Sequence, residues 1–276
     1  MKKQLTTTAP LLLAFLLSSP VGAATLVDYT FDGVANDTGS FQVLTNGQNG
    51  SPANTDLNTG LLDADGVSAA VGFNTGSALD LTTEAPSATG FELTFDITGT
   101  DATVSGLDAN GLFFGVTSGS SNTGTAGSSL WNNNPHAFGY AARADNQGAT
   151  NAMVQHDQSG SNFDVTALGT TTPTDASYQN GFTLTLGLFD DDTWTITSTG
   201  LSTDLNGSGS LNTSTTDYFS YSEIAADVVP YISLQGTDKT LTVDQITLTT
   251  VPEPMSAIPF GICALTLALV RRRRRG

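Results

Sequence analysis

Apolar and polar residues alternate through most of the chain between residues 25 and 250. Val27-Asp28-Tyr29-Thr30-Phe31, Phe91 to Ile97 and Phe182 to Leu188 each run apolar, polar, apolar with period two. Such alternation sends successive side chains to opposite faces of an extended strand, so each run predicts a strand with one buried face. The acidic triplet Asp190-Asp191-Asp192 separates the third run from Trp194-Thr195-Ile196, and the two runs read as one hairpin. Further apolar runs at Val67 to Phe73, Leu79 to Leu81, Leu112 to Val116, Ala137 to Tyr140, Ala152 to Gln155 and Val228 to Leu234 predict ten or more strands in all. Near the end the apolar positions change phase, from Leu241 and Val243 to Ile246 and Leu248, which predicts a bulge at Asp244-Gln245. This region has no helical period and no unit of fixed length, so an all-β, antiparallel sandwich or jelly roll is expected over residues 25–250.

The two ends break this pattern. Lys2-Lys3, an apolar stretch to Leu17 and the small residues Ser18 to Ala24 have the order of a secretory signal peptide, with cleavage after Ala23 or Ala24 expected. Residues 1–24 are therefore read as a leader handled by Sec export and signal peptidase, with a retained anchor as the alternative. At the other end Val251-Pro252-Glu253-Pro254 precedes an apolar run, Met255 to Val270, and then Arg271, Arg272, Arg273, Arg274 and Arg275. That run would reach roughly 24 Å as a helix, a short membrane span whose arginines snorkel and stay cytoplasmic.

Charge changes the picture again. The chain carries −17 overall, yet between Ala24 and Thr250 only Arg143 and Lys239 stand against twenty-five acids. That acidic middle repels phosphate backbones, so no nucleic-acid partner is expected. The only cysteine, Cys263, lies in the C-terminal apolar run, so disulfides, Cys-based zinc sites and thiol catalysis are absent from the middle.

Val251-Pro252-Glu253-Pro254, one apolar helix and a terminal arginine cluster resemble the PEP-CTERM sorting domain of Gram-negative bacteria that make exopolysaccharide. The resemblance covers residues 251–276 and implies an exosortase as partner. It also implies transient anchoring in the inner membrane and delivery to the cell surface or extracellular matrix. A plain tail-anchored surface protein is the alternative. The entry of the first strand at Leu26 to Phe31, the Gly111 to Val116 run and the last strand leading into the tail resemble concanavalin-type, laminin-G-like jelly rolls.

Candidate chemistry is sparse. The glycosidases that the second resemblance brings to mind carry Glu-x-Asp-x-Glu on one strand, and no such run is present. Glu92 and Asp96 share a strand face but stand roughly 13 Å apart at about 3.3 Å per residue. A retaining pair needs about 5 Å and an inverting pair about 6.5 to 9.5 Å. Neither His136 nor His156 sits in a metal-protease motif, and there is no Gly-x-Ser-x-Gly elbow. The chain is thus expected to be non-catalytic, a structural or carbohydrate-associating matrix component, with a matrix polysaccharide hydrolase as the alternative.

Trp131, Asn132, His136 and Tyr140 form the candidate ligand site, since a ring face beside amides is how sugars are bound. The competing reading makes Trp131 a core cap and the asparagines turn residues. Asp32 and Asp244 are the candidate calcium ligands, placed where first and last strands of such folds often pair. Asp63-Ala64-Asp65-Gly66 and Asp108-Ala109-Asn110-Gly111 resemble calcium-loop fragments but lack spaced acidic ligands, and both read as Asx turns. Exopolysaccharide is the expected ligand class.

Overall fold

Each alternating run becomes a strand, because only an extended backbone delivers its apolar side chains to one face. The computed structural model describes residues 22–33, 40–46, 55–64, 69–100, 107–119, 136–142, 151–157, 163–168, 178–202, 205–213 and 218–253. Ala23–Glu253 belong to one unit.

The first sheet contains β1 (Thr25–Thr30), β3 (Leu61–Ala64), β5 (Ala88–Thr100), β10 (Phe182–Phe189), β11 (Thr193–Thr199), β12 (Gly207–Ser210) and β14 (Lys239–Pro252). Its order is β1-β14-β5-β10-β11-β12, with β3 pairing the start of β14. The second contains β2 (Phe41–Asn46), β4 (Ala69–Thr75), β6 (Leu107–Ser118), β7 (His136–Ala142), β8 (Asn151–Asp157), β9 (Phe163–Ala167) and β13 (Val228–Gly236). Its order is β2-β4-β13-β6-β7-β8-β9. Every pairing is antiparallel.

The inner faces meet in one apolar cluster fed by both sheets. Phe95 of β5 crosses to Phe114 of β6 at 5.4 Å between ring centroids, and Phe114 meets Phe182 of β10 at 5.8 Å. Each fully buried side chain of this size contributes about 1.5–3 kcal/mol, and each ring pair about 0.5–1.5 kcal/mol more. The second sheet is buried on its other face too, where Phe113, Ala137, Ala141, Val154 and Tyr231 form a smaller cluster. That is why β13 is buried throughout, without alternation.

The phase change near the end is a bulge. Val243 pairs with Ile97 and Gln245 with Asp96, so Asp244 is the extra residue, and Val243 and Ile246 both point into the core. The hairpin through Asp190-Asp191-Asp192 also forms, joining β10 to β11.

Two sequence readings need correction. Leu79 to Leu81 is not a strand: Leu79 makes a single bridge to Val228, and the chain then coils into α1 (Leu81–Glu84). The cause is local, since Asp80 Oδ1 accepts the Thr82 backbone N–H at 3.0 Å and caps the turn. Asp108-Ala109-Asn110-Gly111 is not a turn but part of β6. A second short helix, α2 (Tyr221–Ala225), starts at a capping box in which Glu223 reaches back to the Ser220 backbone N–H at 2.7 Å.

Candidate functional site

β7 carries two of the predicted ligand residues, His136 and Tyr140, four positions apart and therefore on one face of the strand. In this fold it is the inner face. Tyr140 is wholly buried; its hydroxyl donates to Asn151 Oδ1 at 2.6 Å and lies 2.8 Å from the Tyr178 hydroxyl. Burial, and secondarily the neighbouring Tyr178, pushes its pKa well above the ordinary phenol value. Tyr140 is thus a core hydrogen-bonding residue and does not line an exposed groove. His136 is half-buried, with its backbone N–H donating to Ser118 Oγ at 3.1 Å and its ring 4.8 Å from that of Phe219. Trp131, Asn132 and Arg143 lie outside the described residues.

Asp244 lies where the first and last strands pair, its carbonyl oxygen accepting the Phe31 backbone N–H at 3.1 Å, and Asp32 follows Phe31 in the chain. Both side chains are exposed. Calcium takes six to eight oxygens, and among the described residues no group of three or more His, Cys, Asp and Glu gathers. These two carboxylates alone do not complete a calcium cage. Asp63 is half-buried in β3, and the rest of its candidate loop, Asp65-Gly66, lies outside the described residues.

The Val251 to Pro254 stretch read as a sorting motif begins inside the sandwich. Val251 and Pro252 are the last residues of β14, opposite Gly90 and Ala88 of β5, and Glu253 beyond them is exposed. Pro254, the span predicted over 255–270 and the five arginines lie outside the described residues; among those described, no helix is long and apolar enough to cross a membrane.

The outward face of the first sheet brings together polar residues from four strands. Registers across four strands align Thr247, Thr94, Thr185 and Thr197 in one row and Gln245, Asp96, Thr183 and Thr199 in the next. Beside the second row lies an open depression of about 480 Å³ lined by Asp96, Asn180, Thr183, Thr199 and Asp244. Thr183 Oγ1 donates to Asp96 Oδ1 at 2.5 Å. Two sequence signals pointed here: Asn180-Gly181, a turn dipeptide just before a strand, and the polar half of the alternation itself. Glu92, the residue paired with Asp96 in the sequence reading, stands two outward positions from it along β5, beyond Thr94 and opposite Gly187 and Thr249, and is exposed.

Two facing seven-stranded antiparallel sheets, with the first and last strands paired and a largely apolar interior, define a concanavalin-like β-sandwich of the legume-lectin type. Solved structures of that type are similar to it. The seed lectin of Lotus tetragonolobus matches with a TM-score of 0.51 at 9% identity, covering 84% of this chain and 100% of the lectin. The winged bean acidic lectin complexed with methyl-α-D-galactose matches with a TM-score of 0.50 at 11% identity, again covering 84% and 100%. No family model matches the chain, and no curated protein matches it in sequence.

Proposed function

We propose that the chain is an exported, non-catalytic protein whose sandwich associates with carbohydrate, and that residues 251–276 sort it to the cell surface or extracellular matrix. The observation that carries the carbohydrate reading is the likeness of this two-sheet sandwich to two lectins. Charge narrows the ligand. With twenty-five acids against two basic residues in the middle of the chain, charge attraction cannot hold an acidic polysaccharide directly, and affinity must come from stacking and from hydrogen bonds to an uncharged ligand. Trp131 and Asn132, in the segment joining β6 to β7, remain the ring and amide proposed for that contact.

The hydrolase alternative draws on one feature, the presence of Asp96 and Asp244 in the same depression. In lysozyme the general acid sits in an apolar pocket, whereas Asp244 stands exposed.

One experiment separates the readings. The full chain, purified in mild detergent, is incubated with immobilised neutral and uronic-acid polysaccharides at low and high salt. Retention on neutral polymers that survives salt is expected, without release of reducing ends. Reducing ends appearing with time would make the protein a hydrolase, and no retention on any polymer would leave a passive surface protein.

A further inference from the structure

The depression on the outward face of the first sheet is built rather than incidental. Its side walls come from two turns that approach backbone to backbone, at Gly181 with φ +81° and Gly200 with φ +93°. A Cβ on Gly181 would stand 2.8 Å from the carbonyl oxygens of both Ile97 and Thr98, and one on Gly200 would stand 2.9 Å from the Gly181 carbonyl oxygen. Any other residue at either position would strain the left-handed backbone and force the turns apart. The remaining wall is the β14 bulge. It leaves Asp244 without a partner position on β5 and aims it out beside Asp96, in the way bulges re-aim side chains at the rims of sites.

The lining has a definite chemistry. Two carboxylates offer acceptors only, and the Thr183 hydroxyl occupies one of the roughly four acceptor positions on Asp96. The Asn180 amide offers both donors and an acceptor, and the Thr199 hydroxyl does the same. A ligand matching this set must be rich in hydroxyl donors and carry no negative charge.

We propose that this depression is a binding subsite for one unit of a neutral sugar chain. Adjacent ring hydroxyls donate to Asp96 and Asp244, while the Asn180 amide donates to a ring or glycosidic oxygen. The proposal rests on the carbohydrate reading and adds to it the site, on the sheet opposite the one that bears His136 and Tyr140, together with a preference for uncharged units. Hydrogen bonds to charged groups are the strong ones, so removing one carboxylate charge should be felt directly.

The test titrates the full chain, in mild detergent, with cellohexaose, mannohexaose and a galactan hexasaccharide, with hexagalacturonate as the acidic probe. The expected result is binding of at least one neutral probe and none of the acidic one. Asp244→Asn and Asn180→Ala should each weaken binding at least tenfold with an unchanged melting curve, while Glu92→Gln binds as the parent does. Amide shifts of Gly181, Thr183 and Gly200 on adding the neutral probe to labelled wild-type protein give a readout independent of the variants. Neutral binding that persists in both variants, with those amides unmoved, would overturn the subsite and leave the carbohydrate reading standing. Wild-type protein that binds no probe would overturn both, and tighter binding of hexagalacturonate would overturn the charge argument.

Discussion

Tyr221 shows how a single side chain ties the acidic hairpin to the rest of the molecule. Its backbone N–H donates to Asp192 Oδ1 at 2.7 Å, and Asp192 itself adopts φ 62°, a left-handed conformation that aspartate tolerates. Its ring packs on Phe91 with centroids 6.2 Å apart. Burial, and then the charge of Asp190, pushes the phenol up to about 12. A phenol ionises near 10 in the unfolded chain. The raised value therefore contributes stability that is fully present below pH 10 and is lost as pH rises through about 12. The melting temperature should fall across that window, and Tyr221→Phe should make the fall shallower while leaving stability at pH 8 within about 1 kcal/mol. A Phe variant with the same alkaline profile as the parent would assign the loss to other tyrosines. Asp191 in the same turn behaves in the opposite sense. The hydroxyl and backbone N–H of Thr193 hold its carboxyl below the usual range, at 2.5 and 3.1 Å, so its contribution is lost as pH falls through that lowered value.

A pattern reading finds strands with large apolar residues and overlooks those whose role is to make room. β12, Gly-Ser-Gly-Ser, has no apolar side chain, yet it closes one edge of the first sheet against β11. Trp194 decides this: it is buried, and a Cβ on Gly209 would come within 2.7 Å of its Cζ2. The indole lies against bare backbone, so the strand must be glycine on its inner face and is left with serine on its outer one. Gly209→Val should cost about 1–3 kcal/mol by overpacking and shift the tryptophan fluorescence toward the red, whereas Ser208→Val on the exposed face should cost less than about 0.5 kcal/mol. Equal effects at both positions would mean that β12 does not pack on the ring. β2, β3 and β9 escaped notice for a related reason, being short strands with little alternation to separate them from loops. The bulge in β14, in contrast, was legible, because one inserted residue must shift every later apolar position by one to keep the core face inward.

At the scale of the whole molecule, the last strand runs into the segment proposed as a sorting signal. β14 runs up to Pro252, and the Thr89 hydroxyl donates to the Val251 carbonyl oxygen at 3.4 Å, so the sheet ends inside the proposed sorting motif. Glu253 is the first motif residue beyond the sheet and is exposed. If an exosortase reads Pro-Glu-Pro there, the exported form should lack Arg271 to Arg275, and Glu253→Ala should leave full-length protein in the inner membrane with its sandwich folded. Mass spectrometry that finds the arginine tail on extracellular material would exclude this processing.

Local order in the chain was sufficient to determine much of this protein. Period-two alternation made it a two-layer β fold, the phase change placed the bulge, and the segregation of charge argued against phosphate-rich partners. The candidate site was legible only in fragments. Asp244 stood out, but for a metal, while Tyr140 was grouped with the amide-rich stretch before it, and beyond His136 its strand has no alternation to show which face turns inward. Only the tertiary structure decided that β7 aims Tyr140 at Asn151 and Tyr178, and that Asp96, Asn180, Thr199 and Asp244, from four separate segments, share one depression. The physical reason is that alternation records which side chains share a face of a strand. Which strands lie side by side, and which face of a doubly buried sheet meets the main core, is set by pairing and packing between residues far apart in the chain.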